Sequence, residues 1–89
     1  MPDHARVAIV TGATSGIGEA TARKFVAAGF GVAGSGRTAA KLAALEKELG
    51  AAFRAVAGNA AEDAVIDRLF AAARESFGRV ADLVVANAG

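Results

Sequence analysis

The sequence contains no cysteine, so neither a disulfide framework nor a thiolate metal site can form. Its single histidine, His4, falls in a polar N-terminal tail of residues 1–5 and reads as a solvated terminal group; no metal-ligand set is expected. No stretch approaches the ~18 uninterrupted apolar residues that a membrane span needs. No basic region followed by an apolar run opens the chain, so no secretory signal is expected, and the cytoplasm is the expected compartment. Charge of one sign is lacking as well. Ten Lys+Arg stand against nine Asp+Glu with no basic run, which argues against nucleic acid or an anionic membrane as partner.

What the sequence does have is alanine, which makes up more than half of its 54% hydrophobic residues. Leu, Ile, Val and Phe still supply the volume for one compact core, and 89 residues suit a single small domain.

Short β-rich runs alternate with longer helical periods. Arg6–Val10 is an apolar run that ends at a Thr-Gly turn, as a buried parallel strand would. Helix formers fill Gly16–Ala28 and stop at Gly29. Gly31–Ser35 reads as a weaker strand whose small residues would let another chain or a ligand come close. Thr38 can cap a helix to Leu49, with Leu42, Leu45 and Leu49 on one face and Gly50 as the stop. A third strand is expected over Ala52–Ala57. Glu62–Phe77 is the clearest helix, with acids in its first turn and a stripe of Val65, Ile66, Leu69, Phe70 and Ala73. Asp82–Ala86 is the fourth strand. Such alternation with short connections predicts an α/β fold, a parallel sheet with helices on both faces over residues 6–89.

The most informative segment is Thr11-Gly12-Ala13-Thr14-Ser15-Gly16-Ile17-Gly18, between the first strand and first helix. A loop there must turn sharply and present main-chain amides to a phosphate at the helix N-terminus. Gly12 can take the positive φ of the turn, Gly16 can let a pyrophosphate touch the backbone, and Gly18 can let helix and strand pack closely. Ser15 and Thr14 can add hydroxyl donors. Taken alone, three glycines are also compatible with a turn and nothing more. A P-loop is ruled out, because no Lys lies in the segment and Ile17 stands five residues beyond Gly12.

The spacing Gly-x-x-x-Gly-x-Gly differs from the general dinucleotide pattern Gly-x-Gly-x-x-Gly. It resembles the cofactor loop of the short-chain dehydrogenase/reductase family at every defining position. That family's Asn-Asn-Ala-Gly at the end of the fourth strand has its counterpart in Ala86-Asn87-Ala88-Gly89. The resemblance covers the chain from Arg6 to Gly89. It implies a Rossmann-type doubly wound sheet, here its first four strands and three helices in the order β-α-β-α-β-α-β. It also implies an NAD(P)-binding role for Gly12, Thr14, Ser15, Gly16, Ile17, Gly18, Asn87, Ala88 and Gly89. Asn87 would lie beside the ribose and fix the central strands through its amide. Ala86 replaces the family's first Asn and leaves only a backbone carbonyl there.

In dinucleotide folds an acid about 20 residues past the glycines holds the ribose 2′-hydroxyl of NAD, whereas an Arg accommodates the 2′-phosphate of NADP. No Asp or Glu occurs between Ala20 and Leu45. Instead the second strand ends in Ser35-Gly36-Arg37-Thr38, with Gly36 where NAD-preferring relatives would carry the acid. Arg37 offers a charged planar fork to a phosphate, and Ser35 and Thr38 offer hydroxyls. NADP is therefore expected over NAD, the other reading of Arg37 being a solvated residue at a helix start. Lys41 reads as surface. Asn59 replaces the Asp that the family uses for the adenine amino group; it can accept that bond, or it can simply cap the next helix.

The family's reaction moves a hydride between the cofactor and an alcohol/carbonyl substrate. It uses a Tyr, a Lys four residues later and a Ser, all beyond the fourth strand. This chain has no Tyr. Its Ser15 and Ser35 belong to cofactor loops and Ser76 to a helix end. No catalytic residue is therefore expected within it, and the 89 residues read as the N-terminal cofactor half of an oxidoreductase, inactive alone. The complete enzyme would be a homo-oligomer. A non-catalytic dinucleotide-binding module or a truncated remnant is the alternative. The fourth strand, interior in the family, would here be an apolar edge prone to association.

Overall fold

The computed structural model describes residues 6–87. The elements run β1 (Val7–Val10), α1 (Gly16–Ala27), β2 (Gly31–Gly36), α2 (Ala39–Leu49), β3 (Phe53–Ala57), α3 (Asp63–Phe77) and β4 (Leu83–Val85), with a 3₁₀ turn at Gly50–Ala52 between α2 and β3. All pairings are parallel, and the strands lie in the order β3-β2-β1-β4. The expected α/β architecture with a doubly wound sheet is what is found.

Alternation along the strands sends side chains to two cores. Val7 and Ile9 of β1 pack with Ala33, Val56 and the α3 residues Val65, Leu69, Ala73 and Phe77. Val10, Val32 and Phe53 face the other way, with Ala13, Ala22 of α1 and Leu45 of α2. β1, buried on both faces along its whole length, is the centre of the sheet.

Several local expectations need correction. β2 extends one residue further, to Gly36, and the 3₁₀ turn takes Gly50–Ala52, so β3 starts at Phe53 rather than Ala52. Thr38 stands at the N-cap of α2, but its side chain makes no capping bond. Glu62 occupies the N-cap of α3, so Asn59 does not cap that helix. Phe70 lies at the rim of the α3 stripe, and Phe77 takes the buried aromatic position. The small residues of β2 make room for the protein's own side chains. A Cβ on Gly31 would meet the Phe77 ring at 2.7 Å, and one on Gly34 would meet Phe53 at 2.8 Å. Among the described residues no helix is long and apolar enough to cross a membrane, and no group of three His, Asp or Glu could hold a metal ion.

Candidate cofactor site

The loop from Thr11 to Gly18 closes on itself through one carbonyl. Gly12 turns the chain with φ +65°, which only glycine adopts without strain. Its oxygen accepts from the Ser15 amide at 3.1 Å, from Ser15 Oγ at 2.8 Å and from Asn87 Nδ2 at 3.3 Å. Ser15 is the N-cap of α1, its Oγ accepting from the Gly18 amide at 3.4 Å and from Asn87 Nδ2 at 2.7 Å. The Ser15 hydroxyl proton therefore points into the loop, not outward to a phosphate as its sequence position suggested. Gly18 also differs from expectation. A Cβ there would lie 1.9 Å from the Gly12 oxygen and 2.7 Å from Asn87 Nδ2, so Gly18 is required by the loop and Asn87 rather than by the strand.

Asn87 joins β4 to this turn. Besides its side-chain bonds, its amide donates to Thr11 Oγ1 at 2.9 Å, and the Thr11 amide donates to the Val85 oxygen at 3.0 Å. The start of the same strand is held in the same way. Asp82 Oδ2 accepts from the Val7 amide at 2.8 Å while its own amide donates to the Val7 oxygen at 2.7 Å.

Beyond the carboxyl ends of β1, β2 and β3 the loops enclose an open cleft of about 400 Å³. Gly12, Thr14, Ser15 and Asn87 form one side; Ser35, Gly36, Arg37 and Thr38 form its floor and rim; Gly58, Asn59, Ala60 and Ala61 close the other side. Such a crevice at the strand ends is where open parallel sheets bind ligands. Among the described residues that line it none is acidic, and Arg37 is the only charged one. Arg37 and Thr38 are exposed at the rim, and among the described residues Arg37 has no ion-pair partner. Ser35 is 1% exposed, and its Oγ finds no hydrogen-bond partner among the described residues.

Of the residues singled out in the sequence, the structure brings Gly12, Thr14, Ser15, Ser35, Arg37, Thr38, Asn59 and Asn87 to this cleft. Gly16 and Ile17 lie outside its lining at the start of α1. A Cβ on Gly16 would meet nothing within 4 Å, Ile17 is 75% exposed, and the first-turn amides of a helix have no acceptor within it. Ala88 and Gly89 lie outside the described residues. The sequence reading missed Gly58, Ala60 and Ala61. Their signal was position, directly after a parallel strand, together with Gly58, whose φ of +141° lets the chain turn beside Val65. Asn59 shapes this segment, its Oδ1 accepting from the Ala61 amide at 2.9 Å.

A model of the short chain dehydrogenase family matches residues 6–89. Serine 3-dehydrogenase of Agrobacterium fabrum is 46% identical over 81 residues, which are 91% of this chain and 32% of that protein. A probable NADP-dependent dehydrogenase of Haemophilus influenzae is 38% identical over 82 residues, 92% of this chain and 32% of the relative. Among solved structures, the 3-ketoacyl-(acyl-carrier-protein) reductase from Brucella melitensis, complexed with NADH, superposes with a TM-score of 0.80 at 36% identity, over 91% of this chain and 33% of that one. The chain thus spans about a third of the length of these relatives. Its turn at Gly12, the Asn87 clip onto that turn and a sheet ordered β3-β2-β1-β4 agree with the match along nearly its whole length, and the chain belongs to the short-chain dehydrogenase/reductase family.

Proposed function

We propose that this chain holds NADP(H) for an oxidoreductase that moves a hydride between the cofactor and an alcohol/carbonyl pair. One observation carries the cofactor preference: a cleft at the strand ends in which, among the described residues, no lining residue is acidic and Arg37 is the single charge. A carboxylate at the end of β2 would repel a 2′-phosphate, whereas a guanidinium meets it with paired, charge-assisted donors. The residues present fit the group in two further ways. Among the described residues nothing stands where a Gly16 Cβ would be, which leaves the α1 terminus open to a diphosphate, and the buried Ser35 Oγ has no partner there. Arg37, Thr38 and Ser35 would hold the phosphorylated ribose, and the first-turn amides at Gly16 and Ile17 the diphosphate. Asn59 would face the adenine, and Asn87 would keep the β1 and β4 ends in register beside the ribose. When bound, the nicotinamide supplies the hydride chemistry.

The relatives' names bear on this reading in two directions, since one is a probable NADP-dependent dehydrogenase and another was solved with NADH. Arg37 beside Gly36 at the end of β2 supports the NADP reading. Titration of the purified protein with NADPH and NADH should show tighter binding of NADPH. Arg37→Asp should weaken NADPH about tenfold or more while sparing or improving NADH. Equal loss of both affinities would remove Arg37 from the site. The 89 residues by themselves, with no Tyr to serve as proton donor, should bind cofactor without turnover. A small-molecule substrate, a homo-oligomer and a cytoplasmic location go with the same proposal.

A further inference from the structure

Thr14 and Gly36 meet at the cleft. A Cβ built on Gly36 would lie 2.7 Å from Thr14 Cγ2, 2.8 Å from its Oγ1 and 3.3 Å from its Cβ. Rotating Thr14 does not clear this space. Its Cβ has three staggered positions, two of which hold heavy atoms, and both of those crowd residue 36. Every other rotamer leaves one heavy atom in one of the same two positions. Backbone retreat is restrained on both sides. Ala13, fully buried, donates its amide to the Ser35 oxygen at 2.7 Å, and Ser15 donates to the Gly12 oxygen at 3.1 Å. Gly36 is paired with Ala57 in the sheet, and its oxygen accepts from the Gly58 amide at 2.8 Å.

We propose that Thr14 is a specificity-determining positioning residue: its two branches keep position 36 free of any side chain, and so keep an acid away from the place where a 2′-phosphate would sit. The inference rests on the cofactor reading above and goes beyond it. Cofactor preference becomes a property of two contacting positions, and an acid at position 36 is useful only after Thr14 has lost a branch. Serine suffices, because its one heavy atom can take the third staggered position. Valine does not, because it keeps two.

The test is titration with NADPH and with NADH of the wild type, Gly36→Asp, Gly36→Asp with Thr14→Ser, and Gly36→Asp with Thr14→Val. Gly36→Asp alone should weaken both cofactors by pushing the loop. Adding Thr14→Ser should restore NADH while NADPH stays weak, moving the affinity ratio about tenfold or more. Adding Thr14→Val should restore nothing. A gain of NADH binding from Gly36→Asp alone, or equal behaviour of the Ser and Val pairs, would overturn the inference. A melting series without cofactor separates the two claims. Gly36→Ala should lower Tm on the order of 5 °C alone or with Thr14→Val, and far less with Thr14→Ser. If the wild type binds neither dinucleotide while melting follows this pattern, the cofactor reading fails, the specificity claim falls with it, and only the steric contact stands. Intact binding with additive melting would refute the contact itself.

Discussion

Among the described residues, the two outermost strands of the sheet are held differently. β3 is held along its length by side chains from both layers: the Ala55 amide donates to Glu46 of α2 at 2.9 Å, and Arg68 of α3 donates to the Ala57 oxygen at 3.1 Å. These groups occupy backbone positions that a foreign strand would otherwise pair with. β4 has three residues, and among the described residues no side chain guards its outer edge. Val84 is 49% exposed, with Leu83 and Val85 half-buried beside it. β4 is secured instead at its two ends, by Asp82 on Val7 and by Asn87 on Thr11, Gly12 and Ser15. One edge is finished against water. The other depends on end clamps, and one clamp lines the candidate cleft.

The largest effect that can break this comparison is expected at Gly18. A methyl group there strikes the Gly12 oxygen at 1.9 Å and displaces the Asn87 amide, so Gly18→Ala should overpack the turn and release β4 together. A loss of about 3 kcal/mol is expected, near the upper end for overpacking. Thermal unfolding checks it; an unchanged Tm would mean that loop and helix separate more readily than this geometry allows. Asn87→Ala comes next. It removes donors to Ser15 Oγ and the Gly12 oxygen while leaving the backbone clip on Thr11, for about 1–2 kcal/mol. Hydrogen exchange should rise in β4 and in the loop and stay unchanged in β3. A uniform rise along the sheet would argue that the two edges are not independently held.

How much of this was legible beforehand depends on the kind of interaction. The periodicity of α3 named Val65, Leu69 and Ala73 as core because burial repeats along a helix, and the apolar run of β1 announced a strand covered on both faces. Gly12 and Gly18 were marked by spacing. Their neighbours were not: the carbonyl that forbids a Cβ on Gly18 comes from the loop, and the rings that fill the space beside Gly31 and Gly34 come from α3 and β3. A missing side chain in the sequence shows that something comes close without showing what does. Ser15 was misjudged for a related reason, since one hydroxyl can serve a helix cap or a ligand, and only the position of Asn87, 72 residues away, selects the cap. Phe70 and Phe77 share the apolar character of α3, but only Phe77 has a glycine opposite it.

A smaller effect sharpens the comparison from the guarded side. Glu46→Ala leaves the Ala55 amide to water and should cost about 0.5–1 kcal/mol. Sedimentation should then detect more self-association than in the wild type, whereas Val84→Lys should reduce whatever association the β4 edge causes. If Glu46→Ala changes stability without changing association, Glu46 is a strut for α2 and not a guard of the edge.

The smallest expected effect lies in the strap that holds the guarding helix in place. Arg23 of α1 pairs with Glu19 at 2.9 Å and reaches across to both carboxylate oxygens of Glu48 on α2, two residues from Glu46. The Arg23 guanidinium holds the Glu48 carboxyl below its ordinary value, mainly by hydrogen bonding. A carboxyl lowered in the folded state stabilises the fold above its unfolded pKa, and that contribution is lost as pH falls through the folded one. The Tm difference between wild type and Glu48→Gln should therefore be present at neutral pH and fade from about pH 4.5 downward. Both partners are exposed, so the difference should be small throughout and smaller in high salt. Because Glu48 and Glu46 share one helix, the same variant asks whether the guard needs the strap. If Glu48→Gln leaves hydrogen exchange at Ala55 unaltered, α2 is placed by Leu42 and Leu45 in the core, and the finished edge owes nothing to the Arg23–Glu48 pair.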